Sequence, residues 1–290
     1  MSLTDDVRTA CREIAASARH VTIDLDRLSA LAPGEPPALD PERHYLEGPP
    51  AEVADYLLVL DSINFGSGWF PTLRKRPGMS GYFTVASSLA DFWRSSGGWS
   101  VDDLRALRAA DVAAVLSQEP GHELMALYAE ALRDLCRFLG ARRALDLVAE
   151  ADRSAERLAS MLAAGMPFFD DVGFWKRAQI VPNDLALTGV AEFADLDRLT
   201  IFADNLVPHV LRVNGVLVYE RSLAARIDAG ELLAPGEEER EIRGCAVHAC
   251  ELLSERLGMP ARLIDVALWT RGQAPKYKAV PRHRTRTVYY

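Results

Sequence analysis

Apolar residues recur at helical spacing over most of this chain. Val7, Cys11, Ile14 and Ala18 form one stripe and predict a helical opening over residues 3–31. Residues 51–65 are apolar on all sides, which fits a buried helix or a buried strand alike. Gly81-Tyr82 opens a helix with Val85, Leu89 and Phe92 on one face and Gly97-Gly98 after it. Ser100-Val-Asp-Asp103 has the form of a capping box, with Asp in the usual Glu place, and launches a helix over 101–116. Leu124, Leu127, Tyr128, Ala131, Leu135 and Phe138 predict an amphipathic helix over 121–140, stopped by Gly140. A further helix is expected over 151–164, before Gly165. The clearest helix is 237–258, where three acids crowd the first turn and suit the helix dipole. Residues 282–290 alternate and read as a closing strand or extended segment. The expected fold is predominantly α, a compact multi-helix arrangement with at most a few short strands. It forms one domain over 1–290, as a single unit or as two intimate helical lobes.

Between these helices the pattern breaks in two informative places. Residues 32–50 carry Pro33, Pro36, Pro37, Pro41, Pro49 and Pro50, and form a loop long enough to cover something or to carry function. The second break is the apolar run Leu199-Thr-Ile-Phe-Ala-Asp204, after which Leu206, Val210, Leu211 and Val213 return at helical spacing. Pro208 is tolerable only near the start of such a helix. Asp204 therefore has two readings that can hold together. As a helix cap its carboxylate accepts free N–H groups of the first turn. As a fixed carboxylate beside an aromatic ring it stabilises a cation forming on a bound substrate.

Composition narrows the function. A net charge of −8 argues against long nucleic acid as a partner, because that affinity comes from neutralising phosphates. Four scattered cysteines without a C-x-x-C pair read as reduced thiols of a cytoplasmic protein. No signal peptide or membrane-length apolar run is evident. Cys245, His248 and Cys250 invite a metal reading, but their spacings do not converge on one helical face, so core packing is expected and no metal. After Asp265 the chain is basic, with Arg271, Lys276, Lys278, Arg282, Arg284 and Arg286, a solvated face or a phosphate contact. The aromatics after Gly66 fit a pocket wall and a core corner equally. Lys176 and Arg177 interrupt an apolar stretch and read first as surface residues.

Seven runs, in order and spanning roughly residues 40–290, together resemble the queuosine salvage family, whose members are queuosine 5′-phosphate N-glycosylases (hydrolases). They are Asp61-x-x-Asn64-Phe65, Gly81-Tyr82, Phe174-x-Lys176-Arg-Ala-Gln-Ile180, Leu199-Thr-Ile-Phe-Ala-Asp204 with Pro208, Glu241-Ile-Arg-Gly-Cys245, Asp265 with Leu268-Trp269, and His283-Arg-x-Arg-x-x-Tyr-Tyr290. The resemblance implies a mostly helical fold, in part similar to helical DNA base glycosylases. It also implies hydrolysis of queuosine 5′-phosphate to queuine and ribose 5-phosphate without a cofactor.

On that resemblance Asp204 is the acid at the anomeric carbon, since glycosidic cleavage passes through an oxocarbenium-like sugar. Lys176 is the catalytic cation, which orients Asp204, aids the leaving base or holds the phosphate. His44 and Asn64 are placed on the substrate. Asp265 would face the secondary ammonium of the queuine arm, and Phe65, Phe202 and Trp269 would stack on the base, with core packing as the alternative for each. Two departures touch side-arm recognition: Thr270 stands where an acid is expected, and the loop after Phe65 is longer than in the eukaryotic-looking pattern. A nucleic-acid base glycosylase and a non-catalytic queuine-binding protein are the competing readings. A small-molecule partner is expected; the oligomeric state is not readable.

Overall fold

The structure is a computed structural model describing residues 2–290. Among the described residues the chain forms fifteen helices: α1 (Leu3–Ser17), α2 (Leu25–Ala30), α3 (Pro50–Ser62), α4 (Gly81–Ser96), α5 (Val101–Ala106), α6 (Ala109–Leu116), α7 (Glu123–Leu139), α8 (Ala144–Glu150), α9 (Ala155–Gly165), α10 (Lys176–Leu187), α11 (Leu206–Val213), α12 (Arg221–Asp228), α13 (Glu237–Leu257), α14 (Ala261–Arg271) and α15 (Pro275–Lys278). The predominantly α expectation holds. Two three-residue strands, β1 (Val21–Ile23) and β2 (Leu217–Tyr219), pair antiparallel with Val21 opposite Tyr219.

The apolar stripes meet in two buried clusters. The larger gathers α3, α4, α6, α7, α9 and α10 around Tyr56, Leu60, Leu89, Leu116, Tyr128 and Leu162. The smaller gathers α1, β1, α11, β2, α13 and α14 around Val7, Cys11, Leu211, Ile242, Cys250 and Leu268. Trp175 packs partly buried against both. In the smaller cluster α13 lies against α1 through Gly244, where a Cβ would stand 2.6 Å from Ile14 Cγ2. Only glycine permits that approach without displacing Ile14.

Several expected elements are redrawn. The opening 3–31 is not one helix but α1, β1 and α2. Glu241, buried on α13, accepts the N–H groups of Arg19 at 3.0 Å and of His20 at 2.7 Å, and so holds the chain as it turns from α1 into β1. The Ser100–Asp103 capping box is formed, but the helix it launches stops at Ala106. Asp111 accepts the Arg108 N–H at 2.9 Å and begins a second helix there. The helix expected over 151–164 begins at Ala155, capped by Ser154, and α8 precedes it. Of the two readings of residues 282–290 the extended segment holds, with one parallel bridge, Leu233 to Thr285. Among the described residues no helix is long and apolar enough to cross a membrane.

The proline-rich residues 32–49 contain no helix or strand and run between α2 and α3. Their first part is tied to the smaller cluster by Arg256, which donates to the Leu31 carbonyl at 2.9 Å, and by Arg271, which donates to that of Ala32. Their last part is tied to α4 by Arg94, which donates to the carbonyls of Pro41 and His44, both at 2.9 Å. The loop thus bridges the two clusters.

Candidate active site

A cavity of about 290 Å³ opens between the clusters. Tyr82 and Phe83 of α4 and Lys176, Ile180 and Asp184 of α10 line one side; Phe202, Asp204 and, from α14, Asp265 and Trp269 line the other; Leu39 to His44 of the proline-rich loop close it. A polar annex of about 40 Å³ adjoins it, lined by Ser67, Ser80, Asn205 and Arg282 among others. Asn64, Tyr82, Lys176, Asp204, Trp269 and Gln273 line both spaces and mark the junction.

Asp204 ends the segment Leu199–Asp204, which has no regular secondary structure and is buried up to its last residue. Its backbone groups must therefore find side-chain partners. Gln179 of α10 accepts the Thr200 N–H at 2.9 Å. Asp265 of α14 accepts the Phe202 N–H at 2.9 Å. Arg243 of α13 donates to the Ala203 carbonyl at 2.9 Å. Asp204 itself accepts the N–H groups of Leu206 at 2.7 Å and Val207 at 3.1 Å, both through Oδ1. The cap reading is therefore correct, with the helix starting two residues on. Oδ2 takes no hydrogen bond among the described residues, so the acid serves α11 with one oxygen and lines the junction with the other free.

Lys176 is the first residue of α10 and is buried, against the surface expectation. Its Nζ donates to the Asn64 carbonyl at 2.9 Å and lies 3.4 Å from Asn64 Oδ1. Trp175 before it holds φ of +45°, a left-handed conformation that is strained for a bulky residue and fixes the direction in which Lys176 leaves the chain. Burial lowers the lysine to about 8, and Asp204 is the charge that opposes this most. Arg177 is also buried, because its guanidinium is absorbed by the carbonyls of Ser62 at 2.6 Å, Val288 at 2.7 Å and Phe168. Backbone carbonyl oxygens give no sequence signal, because any residue type supplies them, which is why both cations read as surface residues.

Arg243 couples the two functional candidates. Besides Ala203, beside Asp204, it pairs with Asp171, at 3.0 Å through Nη1. Asp171 in turn accepts the Lys176 N–H at 3.3 Å. Glu239 lies 3.4 Å from the same guanidinium, and the Phe174 ring lies 3.9 Å beneath it.

The other expected residues divide. His44 lines the cavity; its Nδ1 lies 2.9 Å from the Asp40 carbonyl and its Nε2 3.1 Å from the Tyr82 hydroxyl, and burial lowers its pKa. Asn64, Phe202, Asp265 and Trp269 line the cavity too. Phe65 does not reach it: its ring meets Tyr128 edge-on at 5.0 Å and carries the Arg177 guanidinium at 4.7 Å, and it touches only the annex. Thr270, at the expected acid position, lines the main cavity. Sequence reasoning assigned no site role to Tyr82, named only in the Gly81-Tyr82 run, or to Phe83; both meet Trp269 edge-on, at 5.3 and 5.5 Å. It also passed over Asp184, inside a helix without a motif of its own, and left Arg282 among several basic residues of the tail.

Comparison with known proteins accords with this geometry. The family described as queuosine salvage protein matches residues 44–290. This chain belongs to that family. A relative from Sphaerobacter thermophilus, named queuosine 5′-phosphate N-glycosylase/hydrolase, is 33% identical, with 98% of this chain and 97% of that protein covered. Proteins of the same name from Mus musculus and Nematostella vectensis are 34% identical over 50% of this chain and 51% of the relative, and 27% identical over 87% and 85%. The family match takes in the last part of the proline-rich loop, from His44 onward, and every residue at the junction.

Proposed function

We propose that this queuosine salvage family member hydrolyses the N-glycosidic bond of queuosine 5′-phosphate and releases queuine and ribose 5-phosphate. The observation that carries the reading is the order of the spaces around Asp204. A large cavity with aromatic walls adjoins a small polar annex, and the carboxylate with a free oxygen stands where they meet. A nucleotide has the same order: a flat base, a sugar, a phosphate. The base belongs in the large cavity, against Phe202 and Trp269, and the sugar at the junction. The phosphate belongs in the annex, where Arg282 makes no hydrogen bond or ion pair among the described residues. An unpaired guanidinium matches a phosphate in charge and shape.

The chemistry follows from that placement. The bond from C1′ to the base nitrogen breaks and its electron pair leaves with the base. Positive charge grows at C1′, and the Asp204 carboxylate opposes it; held by two backbone N–H groups, it need not reorganise as the charge appears. Water adds its oxygen to C1′, and of its two protons one stays on the new hydroxyl and one is taken up, in net, by the base. The base is a 7-deazapurine, so protonation at N7 is not open to it. Lys176, cationic below about 8, stands at the junction as the donor that relieves negative charge on the departing base. Asp265, tied to the Phe202 N–H, holds the segment that presents Asp204.

Incubation with queuosine 5′-phosphate, followed by mass spectrometry of the products, tests the reading. Free queuine and ribose 5-phosphate in equal amounts are expected. Absence of both, with queuosine nucleoside also inert, would overturn it.

A further inference from the structure

Four carboxylates line the main cavity, and three of them are accounted for. Asp204 and Asp265 accept backbone N–H groups, and Asp40 pairs with Arg43 at 3.2 Å. Asp184 differs. It is 8% exposed and its side chain accepts one hydrogen bond, from Asn183 Nδ2 to Oδ1 at 3.0 Å. That amide is oriented from behind, because Arg262 reaches Asn183 Oδ1 at 3.5 Å. Oδ2 of Asp184 has no partner, and no lysine, arginine or histidine stands within ion-pair distance of it among the described residues. Asp61 of α3 is fully buried, and among the described residues neither of its oxygens has a hydrogen-bond partner. Burial and then Asp184 push the Asp61 carboxyl far up, and burial pushes Asp184 up to about 6.

A buried acid serving only the fold would be expected to have a cation or several N–H donors. The cations nearest this end are committed elsewhere: Lys176 to the Asn64 carbonyl, and Arg43 to Asp40 and to the face of Phe83 at 4.1 Å. Tyr82 and Phe83 line the cavity on this side, and Trp269 meets both rings edge-on from across it; aromatic rings favour a positive group. A carboxylate and aromatic rings around one cavity are the chemistry of an ammonium site.

We infer that Asp184, backed by Asp61, is the counter-charge for an ammonium group carried by the base of the substrate, so that this end of the cavity selects for a cationic arm. The inference rests on the function proposed above and deepens it. In queuine the secondary ammonium links the cyclopentene diol to the base, and Asp184 rather than Asp265 reads it. Asp265 holds the Phe202 N–H through Oδ1, and with it the segment that presents Asp204, whereas the Asp184 side chain holds no backbone group. The charged and titratable groups facing Asp184 are Asp61 and Tyr56 of α3, Tyr82 of α4, Lys176 of α10 and Asp265 of α14. Lys176 is the one cation among them, and its ammonium is held by the Asn64 carbonyl, so a hydrogen-bonded cation for Asp184 comes from the ligand.

Calorimetric titration with queuine and with 7-deazaguanine, which lacks the arm, tests this. The parent protein is expected to prefer queuine by about tenfold to a hundredfold, the range of a charge-assisted hydrogen bond. Asp184→Asn is expected to bind the two bases alike. A variant that keeps the preference, or a parent without one, would overturn the inference. A second measurement needs no variant. The preference is expected to shrink between about pH 7.5 and about pH 5, as Asp184 takes up its proton, while the arm stays cationic. A preference undiminished at the lower pH would overturn it. Equal cleavage of queuosine 5′-phosphate and 7-deazaguanosine 5′-phosphate would sink the arm site and leave the glycosidase reading standing. Cleavage of neither substrate would remove the glycosidase reading itself.

Discussion

Asp204 carries two duties that its geometry separates. Oδ1 caps α11, and Oδ2 has no hydrogen-bond partner at the junction. An amide in its place still caps, since an asparagine oxygen accepts the same N–H groups, but it brings no charge. Lys176 sets the pH range. Because burial lowers it to about 8, it is cationic below that pH and loses its charge above it. The rate of hydrolysis is therefore expected to fall as pH rises through about 8, by up to tenfold per unit if the charge is essential. A pH profile beside Lys176→Met checks this: the variant should lack that alkaline limb, and a parent rate that is flat or rising across the range would contradict the role. Arg282 governs the other end of the substrate. Arg282→Met is expected to reduce the preference for nucleotide over nucleoside by about tenfold or more, read as the ratio of kcat/KM values. An unchanged ratio would move the phosphate elsewhere.

At the scale of elements, Leu199–Asp204 is held by side chains from three helices in place of a strand partner. The sequence disclosed this segment as a break in helical spacing and located the start of α11 to within two residues. It could not disclose the partners, because Gln179, Arg243 and Asp265 are distant in the chain and meet it only in the fold. The resemblance marked all three motifs without saying what they hold. Among them Arg243 is the most exposed to substitution in energetic terms. Arg243→Met would leave Asp171 and Glu239 buried without their cation and the Ala203 carbonyl without its donor. Breaking a buried pair costs about 3–5 kcal/mol, so a large fall in the denaturant midpoint is expected. A shift of less than about 1 kcal/mol would mean that solvent or a rearranged tail replaces the guanidinium.

Across the whole molecule, two apolar clusters, a proline-rich bridge and an extended C-terminal segment enclose one junction. Fold class was legible because helical periodicity is local. The opening helix was misread because β1 is three residues long and its partner lies almost two hundred positions away, beyond any local pattern. The burial of Lys176 and Arg177 was illegible because their acceptors are backbone carbonyls, those of Asn64, Ser62, Phe168 and Val288, which any residue type supplies. The tail closes the annex through a tight approach, where a Cβ on Gly68 would stand 2.4 Å from the Thr285 carbonyl oxygen. Gly68→Ala is expected to push residues 282–290 outward and to raise KM for the nucleotide more than it lowers kcat, measured by steady-state kinetics; equal effects on both would argue against a tail that shapes the phosphate end. The most direct test of the account is single-turnover hydrolysis of queuosine 5′-phosphate by the parent and by Asp204→Asn, with queuine affinity and melting temperature measured on both. The account predicts a loss of rate of about a thousandfold or more with affinity and melting temperature preserved. A variant that releases queuine at the parent's rate would reduce Asp204 to a helix cap and contradict the mechanism.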